Sequence, residues 1–134
     1  MKVDGACHCG QIVFEAEINP DRVRVCHCAD CQSLTGSAFR VTAPAEESKF
    51  RLLAGTPKTY VKTTAESGVP RLQAFCGECG SPLYATSLVG DNRTFGLRVG
   101  ALRQRDRLIP KSQIWLRSKL PWLPPLPGEA SERE

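Results

Sequence analysis

The sequence predicts a single, mainly β domain, and three observations lead there. Short apolar–polar alternations recur along the chain, turns containing Gly or Pro separate them, and seven cysteines gather in three tight clusters suited to stapling a small fold. At 134 residues, 41% hydrophobic and 24% charged, the chain has the size of one globular domain, small enough that a structural metal would help it. The domain is expected over residues 1–127, ending in a Pro-rich stretch from Pro121, with a disordered charged tail over 128–134.

Taken in order, Ile12, Phe14, Ala16 and Ile18 alternate with Gln11, Glu15 and Glu17, the pattern of a half-buried strand ending at the Asn19-Pro20-Asp21 turn. Val23 and Val25 alternate with Arg24 and Cys26 in a second strand, and Phe39 with Val41 suggests a third. Phe50 and Leu52 open a hairpin-like unit that turns at Gly55-Thr56-Pro57 and continues through Tyr60. Leu72 to Cys76 and Leu83 to Ala85 flank the last cysteine cluster, and Phe95, Leu97 and Val99 form a clear alternating strand. Only Asp30 to Gly36 and Leu102 to Arg107 read as short helices. Trp115 and Trp122 are expected to pack the C-terminal segment onto the sheets, with lining of a substrate cleft as the alternative.

The clusters are Cys7/Cys9, Cys26/Cys28/Cys31 and Cys76/Cys79. Residues i and i+2 of an extended segment point to one side, so Cys7 and Cys9 can present both sulfurs to one ion, as can Cys26 and Cys28. Cys31 follows a turn and can close on the same ion. Cys76-Gly77-Glu78-Cys79-Gly80 is a zinc knuckle, its glycines permitting the tight turn. Local closure favours a four-thiolate site from Cys7, Cys9, Cys76 and Cys79 and a three-thiolate site from Cys26, Cys28 and Cys31. Other groupings, such as Cys26/Cys28 with Cys76/Cys79, remain open on spacing. Disulfides are the bland reading, opposed by the odd count and the i,i+2 spacing. His8 and His27 each lie between two cysteines, and in extended segments both project away from the metal. A histidine completing the second site would make that site closed and structural.

Composition excludes several classes. Met1 to Gly10 has no apolar stretch, so no secretory signal is expected, and no apolar run approaches the length of a membrane span. A cytoplasmic protein with reduced, metal-binding thiols follows. The net charge of +4 is modest and its Lys and Arg residues scattered, apart from Arg98, Arg103, Arg105 and Arg107; a nucleic-acid surface would show a denser patch.

Three thiolates leave a Zn²⁺ site with formal charge −1 and one open position. Such a site generates hydroxide poorly but accepts a soft thiolate well, so thiol activation is expected before hydrolysis. Arg24 and Arg40 could offset the charge of the loaded site, their bland reading being ordinary surface charges.

Gly5-x-Cys7-x-Cys9-Gly10, Cys26-His27-Cys28-x-x-Cys31, Thr35-Gly36, and Phe75-Cys76-x-x-Cys79-Gly80-x-x-Leu83 resemble the pattern of the glutathione-dependent formaldehyde-activating enzyme (GFA) family, also called the centromere protein V (CENP-V) domain. Ile114-Trp115 and Pro121-Trp122 fit its C-terminal signature, and the resemblance runs from Gly5 to about Pro127. It implies a β-tent of small antiparallel sheets and two zinc ions: a structural one on Cys7, Cys9, Cys76 and Cys79, and a catalytic one on Cys26, Cys28 and Cys31. It also implies a carbon–sulfur lyase activity, in which glutathione and formaldehyde exchange with S-hydroxymethylglutathione. The sequence departs from the family at Gln113, where relatives often carry histidine. Arg40, Arg51, Arg71 and Arg98 are candidates to meet glutathione's carboxylates. Two competing readings are a non-catalytic zinc-stabilised binding module and, less favoured by charge, a nucleic-acid-binding zinc module.

Overall fold

The computed structural model describes residues 1–130. Strands dominate: β1 (Lys2–Ala6), β2 (Val13–Glu17), β3 (Arg24–Cys26), β4 (Arg40–Glu46), β5 (Phe50–Ala54), β6 (Lys58–Lys62), β7 (Arg71–Phe75), β8 (Pro82–Ser87), β9 (Thr94–Arg98), β10 (Ser112–Ile114) and β11 (Glu129–Ala130). One short helix, α1 (Ala29–Thr35), follows β3. The mainly β expectation holds.

The strands form two sheets. The smaller has the order β1-β2-β5, the larger β11-β10-β3-β4-β9-β8-β7-β6. Pairing is antiparallel throughout except at one edge, where β10 runs parallel to both β3 and β11. The core lies between the sheets. Phe14 and Phe50 from the small sheet meet Tyr84 and Phe95 from the large one, with ring centroids 4.8–5.7 Å apart. Each such ring contact adds about 0.5–1.5 kcal/mol beyond area burial. Val23, Ala43, Leu83, Leu97 and Leu102 are among the aliphatic residues buried with them. Close approach is needed at Gly5, where a Cβ would lie 2.4 Å from the Ala101 carbonyl oxygen and 2.6 Å from the Phe14 ring. Only glycine fits there.

The Phe50–Tyr60 unit is not a hairpin. β5 pairs with β2 and β6 with β7, so the Gly55-Thr56-Pro57 turn carries the chain from one sheet to the other. Phe50 is drawn into the inter-sheet aromatic cluster, and a local turn signal carries no information about that partner. The expected Asp30–Gly36 helix is α1, closed by Gly36 in the left-handed conformation (φ 66°). Of Leu102–Arg107, only Arg105–Arg107 coils, as a single 3-10 turn. β1 and β10 escaped the pattern reading because β1 turns only Val3 and Gly5 inward, and β10 is three residues long with the polar Gln113 at its buried position. In the C-terminal tail, Glu129–Ala130 form β11, and residues 131–134 lie outside the described residues. Trp122 is 69% exposed and packs no segment down, while Trp115 lies under the Arg117 guanidinium, 4.5 Å from its ring centroid. No helix among the described residues is long and apolar enough to cross a membrane.

Candidate metal centres

Two loops bring the first cysteine set together. Cys7 follows β1 and turns through Cys9, closed by a Gly10 N–H donating to the Cys7 carbonyl at 3.1 Å. Cys76 follows β7 and turns through Cys79, closed by a Gly80 N–H to the Cys76 carbonyl at 2.8 Å. Gly10 and Gly80 both adopt positive φ, 84° and 79°, which ends each turn without strain. Ser81 clips the loops to each other. Its Oγ accepts from the His8 N–H at 2.9 Å and lies 3.2 Å from Cys79 Sγ. Cys7 and Cys76, 4% and 1% exposed, belong to the hydrophobic core itself.

The second set is local. Cys26 ends β3, Cys28 caps α1, and Cys31 lies in the first turn of that helix. Cys28 Sγ accepts the Cys31 N–H at 3.3 Å, so the helix start itself fixes the spacing of two sulfurs.

The sulfurs within each set lie within 4.8 Å of one another. Cys7 Sγ is 3.5 Å from Cys9 Sγ, and Cys9 Sγ is 3.7 Å from Cys76 Sγ. These separations are far beyond a disulfide of about 2.05 Å. They approach the edge, about 3.8 Å, of a tetrahedron with metal–sulfur bonds of about 2.3 Å. Both donor sets therefore fit a thiophilic metal ion, and the four-plus-three division favoured on spacing is the one the fold assembles.

Proton affinities within the sets agree. Cys26 is pushed upward, first by the adjoining Cys28, then by Cys31 and burial. Cys28 is pulled down to about 2, first by Cys26, then by Cys31, with the Cys31 amide and the Lys62 charge contributing. One sulfur thus carries the charge while its neighbour is held as a thiol, and a dication lets all ionise together. In the other set, the Ser81 hydroxyl leads the groups that lower Cys79 to about 5.

The two histidines separate. His8 is exposed, whereas His27 is fully buried beside Phe39 and points away from the sulfurs, as its place in the alternation requires. His27 Nε2 lies 2.9 Å from Gln113 Oε1. Gln113 Nε2 donates to the carbonyls of Leu126 (2.9 Å) and Gly128 (3.4 Å), which assigns the Nε2 proton to His27. Gln113 is therefore a clasp between the segment bearing Cys26 and Cys28 and the C-terminal strap. Gln32 makes a second clasp, donating to the His27 and Ser118 carbonyls at 2.8 and 3.0 Å. Replacing Gln113 with Leu strands the His27 Nε2 proton and two carbonyls; urea unfolding is expected to show a loss of about 1–3 kcal/mol. An unchanged midpoint would mean the clasp is idle.

The chain matches the sequence profile of the glutathione-dependent formaldehyde-activating enzyme family over residues 2–118. It belongs to that family. The fold is shared with a Rhodobacter sphaeroides protein of known crystal structure, at a TM-score of 0.57 and 22% identity, covering 75% of this chain and 87% of that one.

Among the arginines proposed from sequence, the family member divides them sharply. Arg51 is exposed on the small sheet and ion-paired with Glu15 at 3.3 Å, so it stands apart from the three-cysteine cluster. Arg40 is 5% exposed, which corrects its reading as a surface charge, and stands opposite Cys26 in the β3–β4 register. Arg98 donates to Thr42 Oγ1 at 3.0 Å and to Gln73 Oε1 at 2.9 Å. Burial first, then the Arg40 charge, pulls the Arg98 guanidinium down to about 9, and it stays protonated at neutral pH. Sequence reasoning missed Gln113 as a clasp, Ser81 as a clip and Lys62 beside Cys28. Lys62 is itself paired with Asp30 at 3.1 Å.

Proposed function

We propose that this protein is a zinc-dependent enzyme of the carbon–sulfur lyase type, forming and breaking the adduct between a thiol and a small aldehyde, as in S-hydroxymethylglutathione. The reading assigns a structural zinc to Cys7, Cys9, Cys76 and Cys79 and a catalytic zinc to Cys26, Cys28 and Cys31. One observation carries it: among the described residues, the second cluster supplies three donors where the first supplies four. A four-coordinate ion held by three protein sulfurs keeps a position for an outside ligand. Zinc bound there would supply the Lewis acidity that lets a thiol dock as its thiolate at neutral pH.

The protein's own residues do the rest. β3 and the first turn of α1 fix the three sulfurs, so the site needs little rearrangement to load. His27, clasped by Gln113, holds the intervening residue out of the coordination sphere. Arg40 and Arg98 place positive charge beside Cys31, offsetting an incoming thiolate. In the forward direction the thiol sulfur forms a bond to the aldehyde carbon, the C=O π pair moves onto oxygen, and the proton lost by the thiol ends on the new hydroxyl. Catalysis is then chiefly proximity of two small partners, one of them pre-ionised. Reduced thiols in this role suit the cytoplasm.

The test is NMR exchange between formaldehyde with glutathione and their adduct, with the zinc-loaded protein present or absent. Exchange faster than the spontaneous rate is expected. Exchange at the spontaneous rate, over a range of protein concentrations, would favour a non-catalytic zinc-stabilised binding module.

A further inference from the structure

The far edge of the large sheet returns to the three-cysteine turn. In the sheet order, β4, β9, β8 and β7 separate β6 from β3, yet Lys62 at the end of β6 reaches Asp30 on α1, Nζ to Oδ2 3.1 Å. Two residues on, Thr64 Oγ1 donates to the same carboxylate oxygen at 2.8 Å. Asp30 lies between Cys28 and Cys31 in the chain, so both contacts fall on the turn that carries two of the three sulfurs. Glu66 then pairs with Arg117, whose guanidinium stacks over Trp115. Trp115 follows Ile114, which stands opposite Cys26 in the β3–β10 register and whose carbonyl accepts the His27 N–H at 3.2 Å. The segment leaving β6 is thus tied on one side to α1 and on the other to the chain beside Cys26, and its two anchors flank the cluster.

These ties differ in kind from those of the core. None of residues 63–70 is buried, and the turn at their middle is local: Gly68, at φ 76°, donates its N–H to the Ala65 carbonyl at 2.9 Å. With no apolar side chain of the segment buried, the polar contacts at Asp30 and Arg117 carry its closed position. Glu66 and Arg117 are about half exposed, so that pair is weak and sensitive to salt. Lys62, with a side chain only 15% exposed, is the firmer tie. A segment held in this way opens locally at low cost while the sheets stay folded. It also reaches the cluster electrostatically: Cys28 is lowered first by Cys26 and Cys31 and, in smaller part, by the Lys62 charge.

We propose that residues 63–66 form a strap across the three-cysteine turn, latched at Asp30 and Arg117, and that its unlatching sets the rate at which an ion or ligand enters and leaves that cluster. Asp30 is a positioning residue here: it acts through Lys62 and Thr64 and takes no place among the ligands. The inference uses the metal assignment of the proposed function and is independent of the thiol–aldehyde chemistry.

The experiment follows zinc loss from the fully loaded protein to the chromogenic chelator 4-(2-pyridylazo)resorcinol by stopped flow, with affinity measured by equilibrium competition against the same chelator. Thr64→Val and Glu66→Gln loosen the latch from the strap side, and neither change lies in a segment that bears a cysteine. Two phases of loss are expected, the faster assigned to the three-cysteine ion by its absence from Cys31→Ser. The slower phase, from the ion held by the loops after β1 and β7, is the internal reference. The double variant Thr64→Val/Glu66→Gln should speed the fast phase about 3- to 10-fold, with the slow phase and the affinity unchanged, because a gate alters entry and exit alike. Raising the salt from about 0.05 to 0.5 M should speed the fast phase of the unaltered protein and act less on Glu66→Gln, which lacks the ion pair. An unchanged fast phase in the double variant overturns the strap. Faster loss matched by an equally weaker affinity also overturns it, since the segment would then only stabilise the bound ion. A fast phase indifferent to salt in the unaltered protein overturns it too, which keeps the test decisive if a variant folds poorly. Release of fewer than two ions per chain overturns the metal assignment underneath.

Discussion

Cys79→Ser is expected to abolish the cooperative unfolding transition of this domain at room temperature. The residue is one corner of a four-sulfur cluster that ties the loop after β1 to the loop after β7, nearly 70 residues apart, and two of the other corners, Cys7 and Cys76, lie in the hydrophobic core. A structural zinc held there, as proposed, would be worth about 10–16 kcal/mol of apparent binding free energy. A domain of this size has only about 5–15 kcal/mol of net stability. The metal term is thus as large as the whole margin, and serine, a weak ligand at neutral pH, forfeits most of it. Circular dichroism with heating, alongside metal analysis of the purified variant, checks this. A variant that melts within a few degrees of the parent would show that the cluster is dispensable to the fold. The unaltered protein treated with a strong chelator should behave like the variant, which separates loss of metal from any effect of the substitution itself.

Cys31→Ser is expected to do the opposite: keep the fold and remove the activity. Cys31 belongs to α1, a short helix that contacts β4 of the large sheet, and none of the residues of that helix is buried. Its backbone N–H still donates to Cys28 Sγ in the variant, since serine changes one side-chain atom. Metal content should fall from two ions per chain towards one, while the melting temperature moves by only a few degrees. The aldehyde–thiol exchange should drop at least about 100-fold, because changes to groups merely outside a metal's ligand shell already cost about 10- to 100-fold. Retained exchange at one ion per chain would locate the chemistry elsewhere. The contrast between the two variants is the strongest statement the fold makes about its two clusters: one is woven into the core, the other sits on a local turn.

Much of this protein was legible before any coordinates. The seven sulfurs fall where spacing put them, because i,i+2 geometry and tight Gly turns are local properties that tertiary packing does not overrule. The strands at Ile12–Ile18 and Phe95–Val99 followed from alternation, since each buries one face. The turn of His27 away from the sulfurs followed from the same period. Short strands were harder: β1 and β10 carry too few apolar residues to declare themselves, and β11 contains only Glu129 and Ala130.

By itself the chain order determined the gathering of the cysteines into donor sets that fit a metal ion, their division and the β class, since all three arise from neighbours a few residues apart. Only the tertiary structure decided where Phe50 pairs, that Gln113 serves as the partner of His27, and which arginines stand beside the three-cysteine cluster. Those contacts join residues 14 to 86 positions apart, and strand order in a sheet depends on the packing of whole faces rather than on any local pattern. Arg40 and Arg51 look alike in the sequence. One is enclosed opposite Cys26 and the other is held by Glu15 in the open, because β4 and β5 were dealt to different sheets.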